Sequence, residues 1–230
     1  MAEQKPLLVI FAGPNGSGKS TITDAVRRYD EGFPSIYINA DDIAREHNIG
    51  AYEAAIEAAR QREDCIANGL SFAMETVMSK PEKIELMRQA KREGYHVHLE
   101  YVTTQSSTIN LDRIHNRVLD GGHDVPEEKT LSRYDRSTKL LPEAMEAVDT
   151  ARVYNNSFEN PVLIAEKTKN HEIVLYPQPS PSRWNVQTIM KLIGVENATI
   201  VPPDFRKEGA TITNISSSRP RKQRTSKIKL

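Results

Sequence analysis

Apolar residues along this 230-residue chain repeat with two periods that take turns. Leu7–Ala12 (LLVIFA) is a continuous apolar run between Pro6 and Gly13 and predicts a strand buried on both faces. Ser20–Tyr29 follows as a helix, and Ser35–Asn39 predicts a second short strand that ends at "ADD". Ala51–Asn68 is alanine-rich and stops at Gly69, which predicts a helix. Leu70–Thr76 predicts a third strand, Lys80–Glu93 a helix ending at Gly94, and Tyr95–Val102 a fourth strand. Strands and helices alternating in this way imply parallel pairing through right-handed crossovers.

After Val102 the pattern changes. Thr108–Leu119 predicts a polar helix whose Arg113 and Arg117, four apart, share one face. "DGGHDVPEE" interrupts it with a flexible corner and a Pro-initiated helix start. Glu127–Asp149 predicts a long helix carrying Arg133 and Arg136 on one face. "ARVYNNS" predicts a fifth strand and turn, "PVLIAEKT" and "HEIVLYP" a terminal hairpin, and Trp184–Ile193 a last amphipathic helix.

Composition changes this picture only at the end of the chain. Net charge is zero, so no global field favours nucleic acid or membranes. Yet Phe205–Leu230 holds eight Lys/Arg against the single acid Glu208, a charge of +7 balanced by −7 elsewhere. Little beyond Pro203 can pack, so the expected organisation is one domain over 1–203 and a disordered basic tail over 204–230. That tail has no aromatic residue after Phe205 to stack on bases, so contact with nucleic acid is a weak expectation. Cys65 is the only cysteine and excludes an internal disulfide. The start "MAEQKP" has no signal-peptide pattern, and the longest apolar run is six residues, far short of a span. The expectation is a cytoplasmic protein without a membrane partner.

The strongest chemical signal is the octet Gly13-Pro14-Asn15-Gly16-Ser17-Gly18-Lys19-Ser20, followed by Thr21, which fits G-x-x-x-x-G-K-[ST] between a strand and a helix. Its glycines let successive N–H groups turn inward around phosphate oxygens, and the following helix adds its positive end. Lys19 then reaches the β/γ-phosphates and Ser20 ligates Mg²⁺. The fold class this implies is α/β: a P-loop NTPase-type parallel sheet flanked by helices, with a helical lid and the basic tail.

Three further groups supply an acceptor side and a lid. Asp41 and Asp42 fall at the carboxyl edge of the second strand, where ligands bind in open parallel sheets. One of them acts as base or metal ligand while the other caps a helix, and position alone does not say which. Glu75 and Thr76 close the third strand on the same rim and suit polar groups of a bound acceptor. Arg113, Arg117, Arg133 and Arg136 flank Gly121-Gly122, the make-up of a cationic lid over transferring phosphate. His123, inside that corner, is placed to touch phosphate. His96, His98 and Cys65 read as structural, with no metal-ligand spacing among them.

"GPNGSGKST", "NADDIA", "ETVMS", "RVLDGGHDVP" and "SRYDRS…LLP", in this order from about Lys5 to about Tyr176, resemble the zeta toxin family of P-loop kinases. The resemblance implies a kinase that uses ATP (or GTP) and Mg²⁺ to phosphorylate the 3′-hydroxyl of UDP-N-acetylglucosamine, and a cognate antitoxin as partner. It matches Lys19 to the P-loop lysine, Asp41 to the base that activates the acceptor hydroxyl, and Glu75 and Thr76 to acceptor-binding positions. Arg117, His123, Arg133 and Arg136 are its lid candidates. The better-studied toxins have "GxPGSGK"-like octets, and Pro14-Asn15 departs from that pattern. The residues alone leave two other readings open: a kinase of another metabolite or of nucleic acid, and a non-catalytic nucleotide-binding partner protein.

Overall fold

The computed structural model describes residues 5–122, 124–178 and 184–201. His123 and the basic tail therefore lie outside the described residues. Among the described residues eight strands form one sheet: β1 (Leu7–Ala12), β2 (Ile36–Ile38), β3 (Phe72–Thr76), β4 (His96–Thr103), β5 (Thr150–Asn155), β6 (Val162–Lys167), β7 (Ile173–Leu175) and β8 (Thr199–Ile200). Their spatial order is β2-β3-β1-β4-β5-β6-β7-β8. The first five pair in parallel, as the alternation of strands and helices predicts. The expected hairpin is present as antiparallel β6 and β7, with β8 returning parallel to β7. Among the described residues both edge strands are short, β2 with three residues and β8 with two.

The described residues between the strands form seven helices: α1 (Lys19–Tyr29), α2 (Ala40–His47), α3 (Ala51–Ala67), α4 (Glu82–Arg92), α5 (Ser107–Leu119), α6 (Glu127–Ala147) and α7 (Val186–Ile193). The sequence reading has no counterpart to α2. Its polar "ADD" start reads as the end of a strand, whereas the Asn39 side chain accepts from the Asp41 N–H at 3.0 Å and starts a helix there. The larger core lies where Leu8, Ile10, Phe72, Met74, Val97, Leu99, Ala151 and Val153 meet α3, α4, α6 and α7. On the opposite face Val9, Phe11, Ala73 and Val102 pack against Ile22 and Val26 of α1. Central β1 is apolar on both faces, which is why its sequence is continuous rather than alternating.

Strand β4 alternates instead, and the structure gives the reason. Val97, Leu99 and Tyr101 enter the larger core, while His98 and Glu100 project to the other face and join a polar stripe across three strands. The register aligns Glu100 with Arg152 of β5 and Arg152 with Glu166 of β6. Glu100 Oε1 lies 2.8 Å from His98 Nε2 and 3.7 Å from Arg152 Nη1, and Arg152 Nε donates to Glu166 Oε1 at 3.4 Å. His98 Nδ1 is 2.7 Å from Thr150 Oγ1. Glu100 and Arg152 are both buried, so each needs the other.

Candidate active site

All five parallel strands deliver their carboxyl ends to one rim, and the candidate residues collect there. The loop after β1 carries the octet. Gly13, Gly16 and Gly18 all take positive φ. At Gly18 (φ 88°) any Cβ would stand 2.1 Å from the Asn156 amide nitrogen, so glycine is required for space as well as torsion. Ser17 and Lys19 are buried, and the Ser17 hydroxyl has no hydrogen-bond partner. Lys19 Nζ donates to Pro14 O at 3.0 Å, and the Ser17 N–H donates to the same carbonyl at 3.2 Å. Thr21 is exposed on the first turn of α1.

Glu75, at the end of β3, is engaged by both oxygens. Ser20 Oγ donates to Oε1 at 3.1 Å, while Tyr37 OH and Thr23 Oγ1 donate to Oε2 at 3.0 and 3.3 Å. Beside that carboxylate burial, reinforced by the charge, pushes the Tyr37 phenol well above its ordinary pKa. Glu75 thus sits on the loop helix itself, closer to the Ser20 hydroxyl than an acceptor-only role requires. Thr76 turns the chain outward, its hydroxyl accepting from the Met78 N–H at 3.1 Å.

The two aspartates separate. Asp42 is ion-paired with Arg45 at 2.7 Å on the surface of α2. Asp41 is exposed, and its charge acts on the Lys19 ammonium. Lys19 is the focus of the site. Burial lowers its pKa, Glu75 and Asp41 oppose that shift, and Arg117 and Arg133 reinforce it. Arg117, at the end of α5, is exposed. Arg133 Nη1 also donates to Asn15 Oδ1 at 3.3 Å, bringing α6 onto the octet. Arg136 is exposed, and its guanidinium lies 3.5 Å from Ser132 Oγ, one helical turn back. Arg113 runs beside Gly18 and donates to Phe158 O at 3.4 Å, with burial lowering its pKa.

Sequence reasoning missed the supports behind the loop. Asn110 of α5 donates to Asn15 O at 2.6 Å, and Asn156, just past β5, donates to Ser17 O at 2.8 Å. Tyr134 OH of α6 donates to Thr104 O at 2.7 Å. The signal available was "NNS" at the carboxyl end of a parallel strand, a polar cluster on the binding rim. Among the described residues no group of three or more His, Cys, Asp or Glu side chains is gathered to hold a metal. Ser20 and Glu75 are the two protein groups that suit a Mg²⁺ drawing its other ligands from phosphate and water.

A phosphate-loop octet on the central strand of a parallel sheet, faced by carboxylates and lid arginines, defines the P-loop kinase class of fold. The zeta toxin family model matches residues 1–178, and the chain belongs to that family. An uncharacterized protein of Haemophilus influenzae is 34% identical over 131 residues, covering 55% of this chain and 91% of that one. The AvrRxo1-ORF1:-ORF2 complex with ATP matches with a TM-score of 0.62 at 15% identity, over 82% of this chain and 64% of that chain. The PezAT toxin-antitoxin system of Streptococcus pneumoniae matches with a TM-score of 0.51 at 13% identity, over 86% and 82%. These two likenesses are of fold.

Proposed function

We propose that this protein is an ATP-dependent kinase of a small-molecule hydroxyl, with the 3′-hydroxyl of UDP-N-acetylglucosamine as its acceptor. One arrangement supports the kinase reading: Lys19 is buried in the loop, Glu75 of β3 accepts from Ser20 Oγ at 3.1 Å, and Arg133 of α6 donates to Asn15 Oδ1 at 3.3 Å, so three elements meet at the octet. Gly13 to Thr21 bind the triphosphate of ATP or GTP, with Lys19 on its β/γ-oxygens. Ser20, with Glu75 beside it, would hold a Mg²⁺ ion, which would supply neutralising positive charge at the phosphates. Asp41 accepts the proton of the acceptor hydroxyl as its oxygen bonds to the γ-phosphorus, and the bond to the bridging oxygen breaks to release ADP. Arg117 and Arg133 stabilise charge on the equatorial oxygens. Asp42, Glu75 and Thr76 are assigned to the acceptor side and Arg136 to the nucleotide side; His123 lies outside the described residues.

The family and the toxin-antitoxin likeness support a cognate antitoxin as protein partner. The kinase domain is assigned to 1–203, and residues 204–230 are dispensable for transfer. The test is incubation with labelled ATP and a metabolite extract, then with individual UDP-sugars. Asp41→Ala should lose at least about a hundred-fold in transfer while still binding ATP, and Asp42→Ala should lose far less. Acceptor-dependent ATP consumption that survives Asp41→Ala would sink the mechanism. Failure of every UDP-sugar beside a phosphorylated extract component would replace the acceptor alone.

A further inference from the structure

Two asparagines outside the octet hold alternate carbonyls of the loop. Asn110 Nδ2 reaches Asn15 O, and Asn156 Nδ2 reaches Ser17 O. Both side chains are buried, 0% and 7% exposed. Asn110 is itself fixed, its Oδ1 accepting from Thr104 Oγ1. Asn156 is fixed through its backbone, its N–H donating to Thr103 O at 2.8 Å.

In a planar trans peptide the carbonyl of one residue and the N–H of the next point in opposite directions. Drawing the Asn15 and Ser17 carbonyls outward therefore turns the Gly16 and Gly18 N–H groups to the opposite side. The outer space at Gly18 is filled by Asn156 itself. We propose that Asn110 and Asn156 are positioning residues that preset the Gly16 and Gly18 N–H groups as donors to the phosphates of the bound nucleotide. The two clamps come from α5 and from the end of β5, so the loop is oriented by groups that touch no substrate. Preset donors bind anions more tightly than donors that must reorganise on binding.

This inference rests on the nucleotide-binding reading above, and the experiment separates the two. Asn110→Leu and Asn156→Leu keep the branched side-chain shape, somewhat larger, and remove the donor; Asn110→Ala and Asn156→Ala serve if the leucine variants fail to fold. Affinity for Mg·ATP, Mg·ADP and AMP is measured by calorimetry, and Gly16 and Gly18 amide shifts by ¹⁵N NMR with Mg·ADP. Wild type should show downfield shifts of both amides. Releasing Asn15 O should remove the Gly16 shift, and releasing Ser17 O the Gly18 shift. Mg·ATP and Mg·ADP should weaken by about ten-fold or more, with AMP affinity unchanged. Variants that keep both shifts and wild-type ADP affinity overturn the positioning role and leave nucleotide binding intact. An equal loss for AMP reduces the asparagines to general supports. Wild type that binds none of the three nucleotides overturns both readings.

Discussion

Lys19 is the residue on which burial and function pull in opposite directions. Desolvation holds its ammonium below the usual lysine range, with Glu75 and Asp41 opposing and Arg117 and Arg133 reinforcing the shift. A bound polyphosphate adds negative charge beside it and raises that pKa again. Below the free-state value the lysine is charged in both states, and affinity is level with pH. As pH rises through that value, binding must take up a proton, and affinity falls. Calorimetry of Mg·ATP binding in buffers of different ionisation heat should register proton uptake on the alkaline side, lost in Lys19→Met. Uptake that persists in Lys19→Met would assign it elsewhere. At this scale the octet was legible because glycine spacing and a lysine are sequence-local. The clamping asparagines were not, since Asn110 and Asn156 meet Asn15 and Ser17 only through the fold.

Among the elements, apolar pattern together with alanine content and glycine stops placed β1, α1, α3, α4 and α6 to within a few residues. Helix α2 was hidden because it buries only Ile43 and starts with two aspartates that also fit a strand end. The aspartates belong to the first turn, where their charge favours the helix. Lys83 shows the opposite case, a charge placed against its element. Burial lowers its pKa to about 8, and Arg62 of α3 adds repulsion. Because the folded value lies below the ordinary one, stability is reduced at neutral pH and recovers as pH rises from about 8 towards the unfolded value. Lys83→Met should be more stable than wild type in urea at pH 7, with the advantage narrowing by pH 10. An advantage independent of pH would place the gain in packing rather than in relief of a buried charge.

For the whole molecule, the fold extends past the residues that match the family. Residues 184–201 follow the matched segment 1–178, yet Trp184, Ile189 and Ile193 are buried in the larger core beside Leu175. Gly194 ends α7 with φ 71°, and a Cβ there would meet Pro142 of α6 at 2.6 Å, so this helix is closely seated. Each fully buried apolar side chain contributes roughly 1.5–3 kcal/mol. Three of them rival the roughly 5–15 kcal/mol of net stability that a domain has. A chain ending at residue 178 should therefore lose cooperative thermal unfolding, while one ending at 203 should keep it. Equal melting of both would show that α7 is a passive appendage. The parallel order was legible from the alternation of elements, but the seating of α7 depends on contacts with α6 that local pattern does not encode. The short edges of the sheet bear on how copies of the protein meet. Among the described residues β2 offers three residues and β8 two, so these two edges present little unpaired backbone to a neighbouring chain. Crowded copies thus have a poor template for joining sheet to sheet, and the protein is guarded against growth into fibrils at the two places where a sheet most readily begins it.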